Sequence, residues 1–252
     1  MITQQTLIIG ANSDIGKAIS TQLDQINNTG VILISRSHEN TNAAATLVNN
    51  ETVKTTVNKI TIKDYQPESI EQAVAQLAKY NHAPITQVFV CNGILHSDTI
   101  QPEKRLEDFD ADAFIQIITA NSLTPMLWIQ KLTPILTGKS PCKFVVFSAR
   151  VGSISDNKLG GWYSYRASKA ALNMMVKTAS IELARRAKNI KLIAFHPGTT
   201  DTPLSKPFQK NVPENKLFTC EFVARQLLTI VEKTPVDQTA SYLDWQGQTI
   251  DW

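Results

Sequence analysis

The sequence predicts an α/β fold, a doubly wound and mostly parallel sheet of about seven strands with helices on both faces. Three observations predict it. Short apolar runs rich in β-branched residues recur at residues 6–9, 31–35, 57–62, 88–91, 144–148 and 192–195, without the alternation of a half-solvated strand. Longer segments with helical patterning separate them, at 15–25, 68–79, 109–136, 163–186 and 222–232. A glycine turn, Gly10-Ala11-Asn12-Ser13-Asp14-Ile15-Gly16, joins the first run directly to the first helical segment.

In chain order, the run Thr6-Leu7-Ile8-Ile9 is a buried strand. Helix 15–25 follows the glycine turn, with Ser13 or Asp14, both strong N-cap types, to start it. Strand 31–35 ends at Ser35-Arg36-Ser37, and strand 57–62 ends on Ile62. Helix 68–79 leads to strand 88–91, and residues 109–136 form one long helix before strand 144–148. Helix 163–186 opens on Tyr163 and leads to strand 192–195. Residues 198–215 form the one long loop, where Pro203, Pro207 and Pro213 rule out a continuous helix and suggest a segment hinged over a site. Helix 222–232 closes the alternation.

A chain of 252 residues with 42% hydrophobic and 19% charged content builds a packed core, and residues 1–252 are expected to form one domain. Lys and Arg number 25 against 22 Asp and Glu, a net charge of +3. So mild and dispersed a charge implies no nucleic-acid or membrane partner. Cys91, Cys142 and Cys220 are odd in number and sit in or beside apolar runs, as reduced core residues do. With no basic leader and no membrane-length apolar run, a cytoplasmic protein is expected. No metal site is expected: His38 and His82 lie in polar loops, His96 follows the fourth strand, and His196 packs at a strand end, none with companions at ligand spacing.

The glycine turn is built for a phosphate. Gly10 permits the sharp turn, Gly16 brings helix close to strand, and the loop amides from Asn12 to Ile15 face an anion with the helix dipole behind them. At the end of the second strand, where a dinucleotide fold places the adenosine ribose, no acidic residue accepts a 2′-hydroxyl; Arg36 favours a 2′-phosphate, hence NADP(H) over NAD(H). Tyr165 and Lys169, four apart, share one helical face at the carboxyl edge of the sheet. An ammonium beside a phenol lowers its pKa towards use as an acid or base near neutrality.

These motifs, in this order, resemble the short-chain dehydrogenase/reductase family over nearly the full length, with its single-domain Rossmann fold. The likeness rests on the glycine turn, Val90-Cys91-Asn92-Gly93 after the fourth strand, Asn121 in the next helix, Tyr165 to Lys169, and Pro197-Gly198 after the sixth strand. Wording such as Gly152-Ser153-Ile154-Ser155-Asp156-Asn157, and residues 243–252, is similar to the C-factor-like subgroup and to sniffer-type carbonyl reductases. The resemblance implies hydride transfer between NADP(H) and a carbonyl or alcohol. Tyr165 would be acid or base, Lys169 would also bind the nicotinamide ribose, and Asn121 would help hold a water leading to Lys169. It implies a cofactor set of Gly10, Asn12, Ser13, Asp14, Ile15, Gly16, Arg36, Ile62, Cys91, Asn92, Gly93, Tyr165, Lys169, Pro197, Gly198, Thr200 and Thr202, and a homodimer or homotetramer.

The chain departs from the family pattern at four places. Ile9 precedes the turn where a threonine is usual, and Asp14 replaces its second glycine, placing a carboxylate near the phosphates unless Ser13 or Asp14 caps the helix. Cys91 stands where asparagine is usual. Ala149 aligns with the substrate-orienting serine, leaving Ser148, or Ser153 from a shifted loop, as the hydroxyl donor. The alternative these departures raise is a nucleotide-binding signalling or regulatory protein with weak or no turnover. Trp162, Leu159, Leu204 and Phe208 suggest an apolar substrate region, with core or oligomer contacts as the other reading.

Overall fold

The computed structural model describes residues 2–26, 28–38, 47–48, 51–52, 56–80 and 82–252. Its central sheet contains β1 (Gln4–Ile9), β2 (Thr29–Ser35), β3 (Thr56–Thr61), β4 (Ile85–Val90), β5 (Cys142–Phe147), β6 (Ile190–His196) and β7 (Ser241–Asp244). The spatial order is β7-β6-β5-β4-β1-β2-β3, and every pairing is parallel. The chain builds outward from β1 to β3, then returns to the other side of β1 with β4. The loops leaving β1 and β4 therefore diverge and open a crevice at the carboxyl ends of the strands.

The inner strands of the sheet are buried on both faces, which is why they read as apolar runs, whereas the edge strand β3 leaves Thr56, Lys59 and Thr61 exposed. Leu7 and Ile9 of β1 enter one core and Ile8 the other; Leu192 and Ala194 of β6 join the first, Ile193 and Phe195 the second. The first core is roofed by α2 (Pro67–Leu77), α4 (Thr124–Leu136) and α5 (Tyr163–Arg186). The second is roofed by α1 (Asp14–Leu23) and α6 (Cys220–Lys233). Each fully buried Leu, Ile or Val contributes about 1.5–3 kcal/mol by leaving water.

Residues 109–136 are not one helix. The side chain of Asp110 accepts from Ala113 N and starts α3 (Ala111–Ile118); a π-helical turn (Thr119–Leu123) then leads into α4. Pro125 brings no N–H for the carbonyl four residues earlier, that of Asn121, so the ladder is interrupted there. The long loop is also more ordered than the prolines suggest: Thr199–Thr200 pairs in parallel with Leu217–Phe218, and a 3₁₀ turn runs over Lys206–Asn211.

Candidate active site

The glycine turn folds as its residue types require. Gly10 is left-handed (φ +74), and a Cβ there would lie 3.2 Å from Asn92 N and from the Cys91 carbonyl carbon. A Cβ on Gly16 would come within 2.9 Å of Gly10 O. Ser13 is the cap of α1, its Oγ accepting from Gly16 N at 3.1 Å. Asp14 is the exposed first residue of that helix and lines the cavity, where its charge suits the helix dipole. Asn12 reaches across to the end of β2, donating to Ser37 Oγ at 2.7 Å.

Arg36 is exposed beside this turn, its guanidinium 5.7 Å from the centroid of the Tyr65 ring. Ile62 is buried in the core, and its N–H donates to Ser35 O at 3.0 Å. It supports the end of β2 and does not line the cavity.

After β4, Cys91 donates its N–H to Ile9 O at 2.8 Å, which clamps the two diverging loops together. Burial pushes the Cys91 thiol up to about 12, against a hydrogen bond with Ser13 that lowers it. Such a thiol is a packing group rather than a nucleophile. The π-helical turn points Asn121 at the next residues: its Oδ1 accepts from Ile94 N, and its Nδ2 donates to Ile94 O, both at 2.8 Å, and to Ser168 Oγ at 3.0 Å. Asn121 thereby ties the β4 loop to α5, and a Cβ on Gly93 would stand 3.3 Å from its Oδ1 and 3.6 Å from Lys169 Nζ.

Helix α5 carries Tyr165 and Lys169 into the crevice, 8% and 3% exposed. Lys169 Nζ donates to Phe147 O at 2.8 Å and lies 5.7 Å from the centroid of the Tyr165 ring. The expectation that this ammonium lowers the phenol's pKa fails in this state of the protein. Burial, reinforced by the Tyr242 phenol, pushes Tyr165 above its ordinary value, and burial holds Lys169 down to about 7. Desolvation disfavours the charged form of both groups.

Ser148 lines the cavity, but its Oγ donates to Asn173 Oδ1 at 2.7 Å. Ser153 is buried outside the cavity, 3.3 Å from Ser155 Oγ. Ala149 lines the wall in their place, with its carbonyl accepting from Tyr242 Oη at 2.5 Å. Arg150, half exposed, pairs with Asp156 and with Asp244, each at 3.3 Å. His196 is held down to about 4, first by burial and then by Arg150.

These residues surround a cavity of about 590 Å³. Asn12, Ser13, Asp14, Ile15, Cys91, Asn92 and Gly93 line it together with Tyr165, Lys169, Pro197, Gly198, Thr200 and Thr202. The segment after Gly198 also lines it, through Pro203, Leu204, Ser205 and Phe208. His96 Nε2 lies 3.2 Å from Pro203 O across the mouth, and its ring meets Phe208 edge-on at 5.7 Å. Trp162 packs against Phe208 and Tyr165, at 5.1 and 6.1 Å, so that wall is aromatic; Leu159 is outside it and 92% exposed.

The cavity fits a nicotinamide dinucleotide. Thr200 Oγ1, buried at its wall, has no hydrogen-bond partner among the described residues, and the glycine turn lines the same cavity through Asn12 to Ile15. No group of three or more His, Cys, Asp or Glu able to hold a metal occurs among the described residues. Likewise no described helix is long and apolar enough to cross a membrane. Sequence reading missed Glu103, Asn173, Tyr65 and Tyr242, which have no motif of their own and act across long separations.

A family model described as short chain dehydrogenase matches residues 4–213. The 1-hydroxy-2-glutathionyl-2-methyl-3-butene dehydrogenase of Rhodococcus sp. (strain AD45) is 28% identical over 185 residues, 73% of this chain and 76% of that protein. C-signal of Myxococcus xanthus is 27% identical over 147 residues, 58% of this chain and 83% of its own length. Two solved structures share the fold. The carbonyl reductase Sniffer of D. melanogaster has a TM-score of 0.80 at 18% identity, covering 99% of this chain and 100% of that one. The NADPH-bound carbonyl reductase from chicken fatty liver has a TM-score of 0.80 at 20% identity, covering 100% and 95%.

Proposed function

The chain belongs to the short-chain dehydrogenase family and is an oxidoreductase of that family; from this membership we propose that it is an NADP(H)-dependent carbonyl reductase. The observation that carries the proposal is that Tyr165 and Lys169 line the same cavity as Asn12 to Ile15 of the glycine turn. Gly10, Asn12, Ser13, Ile15 and Gly16 would hold the pyrophosphate, with Arg36 on the 2′-phosphate. Cys91, Asn92, Gly93, Pro197, Gly198, Thr200 and Thr202 would line the nicotinamide half. The NADPH named for the chicken enzyme supports the same choice.

When bound, the reduced nicotinamide supplies the hydride. Tyr165 Oη hydrogen-bonds the substrate carbonyl oxygen and gives it a proton. Burial keeps the phenol protonated at neutral pH, the form an acid needs. Lys169, near 7, is poised to return that proton, while Asn121 holds the β4 loop against α5. Ser148 acts on the carbonyl only after turning its hydroxyl away from Asn173, so Tyr165 is the principal donor. Trp162, Phe208 and Leu204 favour an apolar or aromatic carbonyl compound, in keeping with the 22% identity over 244 residues to a benzil reductase of Bacillus cereus.

We further read residues 1–252 as one domain in a reducing, cytoplasmic setting, the three cysteines being free thiols. Exposed Ile115, Leu123, Met174 and Ile181 on the α3 to α5 side form the face for a homodimer or homotetramer, to be read from light scattering. The test of function is titration with NADPH and NADH, followed by aromatic and aliphatic carbonyls on the preferred nucleotide. Tight NADPH binding with oxidation of the nucleotide supports the proposal. Binding with no turnover on any carbonyl replaces it with the regulatory reading that Ala149 motivates.

A further inference from the structure

The first turn of α5 is held by a side chain from a distant loop. No residue beside the helix caps it: Trp162, at the cap position, is itself left-handed (φ +51) and follows Gly160 and Gly161, also left-handed at φ +67 and +65. Three consecutive left-handed residues do not persist on local preference, least of all with a tryptophan among them. Glu103 supplies what is missing. Its side chain is 4% exposed, and its carboxylate accepts from Ser164 N at 3.2 and 3.3 Å and from Ser164 Oγ. Its main-chain carbonyl accepts from Trp162 N at 2.5 Å.

From the other side Arg166 closes the turn, Nε donating to Gly161 O at 2.9 Å and Nη2 to Gly160 O at 3.0 Å. A buried carboxylate is favoured at a helix N-terminus, where amides and the dipole compensate its charge. What distinguishes Glu103 is where that helix end lies: the residue after Ser164 is Tyr165, and the residue whose amide Glu103 holds is Trp162, which packs against Tyr165 and Phe208. A shift of this turn moves both the proton donor and the aromatic wall.

We propose that Glu103 is a positioning residue for the reaction, its buried carboxylate and carbonyl fixing the left-handed turn and first turn of α5 and thereby placing Tyr165 and Trp162. The proposal rests on the carbonyl-reductase reading, so its test carries one readout that needs no turnover. Glu103→Gln keeps the length and an acceptor oxygen without the charge; Glu103→Asp keeps the charge and withdraws it by one methylene; Glu103→Ala removes both. Amide exchange by mass spectrometry reads residues 163–166, while kcat, KM and the pH profile are measured with an aromatic carbonyl and NADPH.

For Ala we expect faster exchange in that first turn, NADPH affinity within about threefold of the parent, and kcat lower by about 30- to 100-fold, the scale of an ångström-sized misplacement. Asp is expected to lose about tenfold and Gln to stay within about fivefold, with an unshifted pH profile. A fully active Asp variant beside an impaired Gln variant would show that charge, not position, matters, and overturns the proposal. So does unchanged exchange at 163–166 in the Ala and Asp variants, or a kcat within threefold of the parent in both. If the parent turns over no carbonyl, the reductase reading fails by itself, and the exchange data still decide whether Glu103 holds the turn. Should Ala not fold, the Gln and Asp pair carries the comparison alone.

Discussion

Replacing Tyr165 by Phe removes one atom from a side chain whose ring contacts survive the change. The ring is braced by Trp162 at 6.1 Å and faces Lys169 Nζ at 5.7 Å, and Phe retains both approaches. Among the described residues the hydroxyl makes no hydrogen bond to protein, so its loss strands no donor or acceptor. Stability should therefore change by less than about 0.5 kcal/mol, or about 2 °C in Tm for a chain of this size. Loss of a positioned acid costs about 10²- to 10⁴-fold in rate, about 3–5 kcal/mol of barrier. The assay is NADPH oxidation under single-turnover conditions, beside a thermal melt and a nucleotide titration. A variant that keeps kcat within threefold of the parent refutes the acid role; one that melts far below the parent refutes the claim that the hydroxyl is free of structural duty.

Other expectations follow from the same site. Burial holds Lys169 at about 7, so between pH 7 and its ordinary 10.5 the unfolded chain binds more protons than the folded one. Unfolding free energy should rise with pH across that window and fall as pH drops through it, by up to about 1.4 kcal/mol per unit, and urea titrations of Lys169→Met should show that slope flattened. Arg36→Ala should weaken NADPH binding by about 10- to 100-fold and leave NADH within about threefold, since only the former carries the 2′-phosphate; equal losses would remove Arg36 from the phosphate site. Ala149→Ser restores a hydroxyl to the cavity wall and should raise kcat by about tenfold or more on a good carbonyl, an oxyanion donor being worth that and beyond. No gain would place carbonyl polarisation wholly on Tyr165.

Much of the architecture could be read along the chain. The six runs became β1 to β6 with small shifts at their ends, because burial on both faces of the inner strands writes itself as a run of Ile, Val, Leu and Phe, while the edge strand β3 carries Asn58 and Lys59 between Val57 and Ile60. Strand β7 has only four residues, Ser241–Asp244, and is set by its register on β6, which no local pattern announces. The segment 109–136 kept a helical pattern across an actual break, because π-turn and α-helix bury nearly the same face and differ in the bonds lost at Pro125.

At the site, sequence by itself determined which groups are available: the glycines of the phosphate turn, Arg36 after β2, the Tyr165 and Lys169 pair, and the absence of a serine at position 149. These are short-range patterns, and spacing along a strand, turn or helix is enough to state them. The tertiary structure alone decided that Ser148 spends its hydrogen on Asn173, that Glu103 grips a helix start 61 positions away, and that both members of the pair are shifted away from their charged forms. Each of these depends on what other parts of the chain bring to within a few ångströms and on how completely they exclude water, and neither quantity is encoded by neighbours in sequence.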